Sequence, residues 1–573
     1  MYYSSGNYEA FAHPKKPSGV ERKSAYLVGT GLSALSAACY LIRDGQMKGE
    51  RIHLFEQKSL PGGATDGYQY PGIGYVMRGA RALDEHSEVM WDLLHSIPSI
   101  EDEEISVLEE CCRLNRAEAG GTFCRVTGER AQDVHSPGMS GLSENGCKEL
   151  VRLFFTPDEQ LSGQKISDVL DAEFLRSEFW LCWSAQFSFE PWHSALELKR
   201  SLKRNLHQTG MLRGICFTKY NPYESLILPM VRYLEDHGVR FHYNTRVTNI
   251  EFEQDNGKKQ ARTICLLVDD QEERVDLTEN DLVFITNGGC MENTSIGSQD
   301  QPPDYNPVLR SGGWTLWKRI AAQDASFGRP EVFCSNPDQT KEVCATITVL
   351  DGHILPYIQN VFSQNSVGRV VTVRDSGWQI CWAFRKQPRF RNQPKGQWVG
   401  WLCGRSGDQP GDYIQKPMQE CTGKEICMEW LYHLGVPEGR IEDLAEHSAN
   451  TVPMMMPYAT AALMPRRKGD RPAVVPEGAV NFAFLGQFAE TPRETACTTE
   501  YSMRTGMEAV YTLLGIDRGV PEVWGSTYDI RDLLYAAAQL RDGRFLSDLG
   551  AELPGKVANI LSNYGGNKNE YSI

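Results

Sequence analysis

The clearest chemical spacing in this chain is Gly29, Gly31 and Ala34 followed by an acid, Glu56, within AYLVGTGLSALSAACYLIRDGQMKGERIHLFE, residues 25–56. Gly29 permits a tight turn off the apolar run AYLV. Gly31 lets backbone N–H groups approach a pyrophosphate, and the small Ala34 lets the next helix pack closely on the strand. The first helical residues, Leu32 and Ser33, then offer unpaired N–H groups and the positive end of the helix dipole to negative charge. Glu56, which ends RIHLF, is placed to accept both hydrogens of a ribose diol and to repel a 2′-phosphate. This is the chemistry of dinucleotide binding, with FAD or NAD favoured over NADP.

Those residues need a strand, a glycine turn, a helix and a second strand in that order, and the chain supplies all of them. The glycine-dense LPGGATDGYQYPGIGYVMRGARALDEH follows, a composition expected of a loop that wraps the cofactor, with Gly62 and Gly63 as contacts. It leads into a helix, EVMWDLLHSI. DAEFLRSEFWLCWSAQFSFEPWHSALELKRSLKRNL reads as helical with an aromatic core face, and a further helix is expected from about Tyr223 to His237. DLVFITNGG reads as a buried strand ending in a turn at Asn287 and Gly288. VNFAFLGQFAETPRETACTTEYSMRTGMEAVYTLL reads as strand, loop and long helix, bringing Gln487 and the helix start near Thr499 toward the cofactor. An opening nucleotide unit, an insertion and a late returning strand and helix are the order of two-dinucleotide-fold flavoproteins, so FAD outranks NAD.

The expected fold is therefore α/β: a Rossmann-like FAD domain with an inserted substrate domain and a C-terminal helical segment. The expected boundaries are an N-terminal arm over 1–21, the FAD-binding domain over 22–150 and a helical substrate part over 151–220. Return strands follow over 221–300, a substrate-binding domain over 301–478, the final FAD-domain strand and helix over 479–515 and the helical segment over 516–573. Order is weakest in the arm, near Ser136 to Asn145 and in the tail GGNKNEYSI.

A length of 573 residues exceeds one core. A balance of 59 basic against 74 acidic residues, net −15, argues against a nucleic-acid partner. The chain lacks a run of 18 apolar residues and a signal-peptide core, so a soluble, cytoplasmic protein is expected. The 16 cysteines are scattered, only Cys111 and Cys112 are adjacent, and reduced thiols are expected rather than disulfides or a metal site.

Further strings occur in order from MYYSSGNYEAFAHPKKP to about Tyr511: LIRDGQMKGERIHLFE, HSIPS, PWHSALELKR, TKYNPYESLILPM, TNGGCMENTSIG, GDYIQKPMQECTGKEI, MPRRKGDRP and NFAFLGQF. On them the chain resembles the oleate hydratase family, also called myosin-cross-reactive antigens, which are FAD-containing fatty-acid double-bond hydratases. The resemblance implies an unsaturated, acidic, lipid-like substrate, cofactor contacts from Arg78, Gly79 and Arg81, a homodimer and peripheral contact with membranes. The alternative for Arg78 and Arg81 is hydrogen bonding to loop carbonyls.

Four departures bear on the reaction. The family's RGGREMENHFE is RGARALDEHSE here, so the position of its water-activating Glu is Ala82 and a neighbouring glycine is Ala80. The Tyr regarded as proton donor is Ser201, and the substrate-side Gln of TKYNQYES is Pro222. The Thr, Asn and His that the family sets against the carboxylate are Ala383, Arg385 and Arg389. Hydrating an isolated alkene needs an acid at one carbon and a base for water at the other. Alanine is neither, and a serine hydroxyl is a far weaker donor than a phenol of pKa about ten. Two arginines, in contrast, offer planar, permanently charged forks to an anion.

Replacement acids are expected nearby. Asp84, Glu85 and Glu88 follow Ala82 on an expected helical stretch, which puts Glu85 one turn away and able to project toward the flavin. Asp84 and Glu85 could equally serve as N-terminal helix acids. The catalytic candidates are thus Glu85, Asp84 and Ser201, with His86 and His193 as structural histidines. Arg385 and Arg389 read as anion-binding, with surface ion pairs as the alternative. MMMP, from Met454 to Pro457, reads as core or acyl-tunnel lining, and the amphipathic YDIRDLLYAAAQLRDGRFLSDLG as a dimer or intrachain contact. The implied chemistry is hydration, isomerisation or cyclisation without net redox change. A catalytically silent FAD-bearing lipid-binding protein and a flavin oxidoreductase are the rival readings.

Overall fold

The computed structural model describes residues 5, 6, 8–65, 67–79, 81, 83–116, 124–132, 142–205, 215–362, 370–496 and 498–525. Ala80, Ala82, most of the stretch from Ser136 to Asn145 and nearly all of the expected C-terminal helical segment lie outside them.

The opening unit folds as strand Ser24–Val28, helix Leu32–Arg43 and strand Ile52–Phe55. These strands belong to a five-stranded sheet ordered Phe482–Leu485, Asp281–Thr286, Ser24–Val28, Ile52–Phe55, Arg240–His242. Every pairing in it is parallel. Strands Asp281–Thr286 and Phe482–Leu485 are near-continuous apolar runs because a parallel sheet is covered on both faces, and Val283, Phe284, Ile285, Phe482 and Phe484 are fully buried. Helix Thr499–Leu514 packs on Leu32–Arg43, capped by the Thr498 hydroxyl, which accepts the Tyr501 N–H. The helices meet at Gly506, where a Cβ would lie 2.5 Å from Ser36 Oγ and 2.9 Å from the Ser33 carbonyl oxygen. A three-stranded antiparallel meander, Thr245–Asp255, Lys258–Val268 and Gln271–Asp276, follows the edge strand.

A second, seven-stranded sheet runs Ser295–Ile296, Ala449–Met456, Glu342–Val349, Trp398–Gly404, Ile380–Ala383, Val370–Val373, Cys124–Thr127. One face carries Val343, Trp382 and Met455 and packs on helix Gly423–His433 through Trp430. The other carries Cys344, Cys381, Cys403, Met454 and Met456 and packs with Val76 and Ala185. The MMMP run thus alternates across a strand buried on both faces.

Three expectations change. Cys124–Thr127, within the span expected for the FAD domain, pairs in parallel with Val370–Val373 of the second sheet. Ser295–Ile296, expected among the return strands, pairs with Met454–Met455. Strands this short carry no pattern that names their partner. The expected helical stretch at Asp84 and Glu85 is instead the end of a strand, Leu83–Asp84, antiparallel to Ile215–Cys216, followed by a turn at Glu85, and the helix begins at Glu88. An Asp84 oxygen accepts the His86 N–H at 2.7 Å and closes a turn, which competes with helix there. Among the described residues no helix is long and apolar enough to cross a membrane.

Candidate functional site

A cavity of about 650 Å³ opens where Val28, Phe55 and Thr286 end their parallel strands, and Glu342, Val370 and Trp401 of the second sheet also line it. Ligands of open α/β sheets bind at such carboxyl ends.

The glycine turn faces this space. Gly29 has φ 86°, in the left-handed region. A Cβ on Gly31 would meet nothing within 4 Å, whereas one on Gly63 would come 3.0 Å from the Gly31 Cα, so the second glycine loop closes over the first. The Gly62 N–H donates to the Thr30 carbonyl at 2.9 Å, and Gly62 lies behind the lining rather than in it. Leu32 and Ser33 line the cavity, and Ala34 is fully buried behind them. Glu56 is buried. One oxygen accepts the Thr30 N–H at 3.1 Å and hydroxyl at 2.6 Å, and the other accepts the Lys58 N–H at 3.0 Å.

From the remaining walls come Arg78, Gly79, Arg81, Asn287, Gly288, Gln487 and Thr499. Arg81 donates to the Ala64 carbonyl at 3.0 Å, and Gln487 Nε2 donates to the Ala496 carbonyl at 2.7 Å. Asn287 is 2% exposed, and among the described residues neither end of its side-chain amide has a hydrogen-bond partner. Leaving such a group unpaired costs ~1–3 kcal/mol, which marks Asn287 as a group awaiting a ligand. The positive-φ turn, the Gly31 opening, the acid at Glu56 and the orphaned Asn287 together fit FAD.

The substrate-side candidates separate. Asp84 is buried in the lining, with Arg204 Nη2 at 3.7 Å. Glu85, in contrast, is exposed and outside the lining, because strand pairing at Leu83–Asp84 turns it to the surface. Ser201 is fully buried on helix Ala195–Asn205 and does not reach the cavity, which receives Asn205 from the same helix. Pro222 caps the turn Tyr223–Ile227, and Ala383 ends its strand in the buried sheet face. Both also lie outside the lining.

Arg385 and Arg389 are buried and are not surface ion pairs. The Arg385 guanidinium stacks over Phe217 at 3.9 Å, and Arg389 Nη1 donates to the Thr218 carbonyl at 3.1 Å. Burial, with Arg389 adding repulsion, pushes Arg385 down to about 9. Burial likewise pushes Arg389 down to about 10, against the pull of Glu224. Phe217 follows the strand Ile215–Cys216 that pairs with Leu83–Asp84, so this cationic pair neighbours the altered loop. His193 Nδ1 accepts the Glu190 N–H at 2.9 Å, and burial pushes it down to about 3, as suits a neutral structural histidine. His86 stacks on Trp524, ring centroids 3.6 Å apart.

Two cavity acids carried no sequence signal. Glu292 accepts the Trp314 N–H at 3.2 Å, and burial raises its carboxyl to about 7. Glu342 enters from the second sheet, and burial raises its carboxyl as well.

Glu500, in the first turn of the cofactor helix, accepts the Val89 and Met90 N–H groups at 3.2 and 3.0 Å and pairs with Arg504 at 2.9 Å. Burial outweighs Arg504 and raises its carboxyl from 4.5 to about 7. Between those values the folded state holds this proton more tightly than the unfolded chain, so stability falls as pH rises across the window. The loss is on the order of 3 kcal/mol. Denaturant unfolding at about pH 5 and about pH 8 should show that slope, and Glu500→Gln should flatten it.

A sequence profile of the MCRA family matches residues 22–511. The oleate hydratase of Streptococcus pyogenes serotype M49 (strain NZ131) is 44% identical over 98% of this chain and 97% of its own length. The linoleate hydratase of Lactiplantibacillus plantarum is 27% identical over 86% of this chain and 94% of its own. Among solved structures, cyclohexylamine oxidase from Brevibacterium oxydans IH-35A aligns with a TM-score of 0.51 at 12% identity, covering 86% of this chain and 99% of that one, a likeness of fold alone. With its dinucleotide cradle intact and its sequence matched from Arg22 to Tyr511, the chain belongs to the MCRA family.

Proposed function

We propose that this protein is an FAD-binding hydratase that adds water across a carbon–carbon double bond of an unsaturated fatty acid. The carrying observation is the 44% identity to an oleate hydratase over nearly the whole chain. FAD held by the glycine turn, Glu56 and Asn287 would supply electrostatic stabilisation of a developing cation, with no net redox change. Arg385 and Arg389, buried outside the cavity lining beside the altered loop, are the cationic pair assigned to the acid's carboxylate. Ala185, Val370 and Trp401, apolar residues of the cavity lining, suit the acyl chain. Excluding water after the first proton transfer would turn the same step toward isomerisation or cyclisation. A homodimer with peripheral membrane contact belongs to the same proposal.

Holoenzyme incubated with oleic acid in ¹⁸O-water should yield a hydroxy acid carrying the label, and no adduct from oleic or linoleic acid would overturn the proposal. The double variant Arg385→Ala, Arg389→Ala should raise KM for the free acid by ~10–10²-fold, the loss of a buried charge-assisted anchor, while sparing the methyl ester. Equal losses for acid and ester would remove the anchoring role. The residues at Ala82 and Ser201 favour one rival, a silent lipid-binding flavoprotein, which would show an acid-induced melting shift without product.

A further inference from the structure

Ala82 and Ser201 deprive the reaction of the acid and base that its relatives' pattern implies, and among the described residues the acids lining the cavity are Glu56, Asp84, Glu292 and Glu342. Glu56 is committed to Thr30 and Lys58. Asp84 takes the His86 N–H and faces Arg204. Glu292 caps helix Gly313–Ala321 through the Trp314 N–H, with Lys58 as its facing cation.

Glu342 differs in position and company. It opens strand Glu342–Val349, opposite Met456, and so reaches the cavity from the second sheet rather than from the dinucleotide strands. The Ser188 hydroxyl donates to its carboxylate, and Arg405, Glu190 and Arg81 are the charges that face it. Arg81 belongs to the altered loop and adjoins the position where relatives carry the water-activating Glu. Ser188 also lines the cavity and holds φ 56° at the end of helix Glu178–Phe187. A non-glycine residue in that left-handed region stores strain, a feature that concentrates at functional sites.

We propose that Glu342 is the acid–base residue of this hydratase, standing in from the opposite wall for the carboxylate absent at Ala82. The inference rests on the hydratase reading above. The Glu342 carboxyl proton passes to one alkene carbon, so that the π bond breaks and a C–H bond forms. A water oxygen then bonds to the other carbon, and one proton of that water returns to the Glu342 carboxylate. Alkene plus water becomes alcohol, Glu342 ends as it began, and no electrons are transferred. Burial raises this carboxyl above its ordinary value, against the pull of Ser188 and Arg405.

The test uses flavin-loaded wild type, Glu342→Gln and Glu342→Asp with oleic acid. Glu342→Gln should lose ~10²–10⁴-fold in kcat with KM little changed, the usual worth of a general acid or base, and Glu342→Asp should recover part of it. Flavin absorbance and the melting shift induced by oleic acid should match wild type in both variants. Glu342→Gln within about threefold of wild-type kcat overturns the assignment, a difference too small for a lost acid. Loss of flavin or of the melting shift in that variant also overturns it, since the residue would then be structural. An inactive wild type that holds its flavin overturns the hydratase reading and this assignment with it.

Discussion

Gly31→Val should fold with nearly the stability of the parent protein and bind almost no flavin. Gly31 has φ −72° and ψ 174°, an extended conformation that valine adopts readily. A Cβ there meets no atom of the described residues within 4 Å, so the first carbon of the new side chain creates no clash in the empty protein. The open space is the cavity itself, at the N-terminus of helix Leu32–Arg43. Branched carbons there occupy the place of a pyrophosphate and hold the first N–H groups of the helix away from it. The expected loss of FAD affinity is on the order of 10³-fold, about 4 kcal/mol. Flavin absorbance per protein and titration of the apoprotein with FAD measure it, alongside an apoprotein stability within ~0.5 kcal/mol of the parent. A variant that purifies fully loaded would remove this turn from the cofactor site. Gly506 is the opposite case: there a Cβ meets helix Leu32–Arg43 itself, and the glycine belongs to packing.

Glu197→Gln should destabilise the fold by ~3–5 kcal/mol, the cost of breaking a buried ion network from one side. Glu197 is fully buried in the segment PWHSALELKR. One oxygen accepts from Arg466 Nη2 at 3.0 Å and Arg471 Nη1 at 3.3 Å, and the other accepts the Ala496 N–H at 3.4 Å. Burial alone would raise this carboxyl, but Arg471 and Arg466 hold it down to about 2. Glutamine keeps the shape and one acceptor oxygen but removes the charge, leaving Arg471, fully buried, on neutral acceptors such as the Ala462 carbonyl and the Tyr501 hydroxyl. Arg466 retains Glu490 at 2.8 Å, which places the cost toward the lower end. Because the network joins helix Ala195–Asn205 to the loop before helix Thr499–Leu514, unfolding of the holoprotein should also release flavin at lower denaturant. An unchanged unfolding midpoint would mean that solvent or rearrangement compensates the arginines.

The two variants mark the two kinds of information in this chain. The cradle was legible because each of its requirements is local: Gly29 needs only its own φ, Gly31 only the absence of a side chain, and Glu56 only its place at the end of a strand. Arg385 and Arg389 were legible as an altered pair, although nothing in AFRKQPRF shows that they are buried beside Phe217 and Thr218. Asp84 and Glu85 misled as a helical stretch because charge and apolar spacing there are compatible with helix. Pairing with Ile215–Cys216, far along the chain, outweighs that local tendency and sends one acid inward and the other to solvent. Glu342 had no signal, since an acid before an apolar strand reads as an ordinary exposed end.

By itself, then, the sequence determined the dinucleotide unit, its cofactor class and the family, because repeated short-range spacing encodes backbone geometry that few other residues tolerate. Only the tertiary structure decided which acids share the cavity, that Ser201 lies behind it, and that Glu342 faces it from the other sheet. Those facts depend on the packing of two sheets whose strands come from distant parts of the chain, and a carboxylate's chemistry there is set by neighbours, burial and direction that no local spacing records.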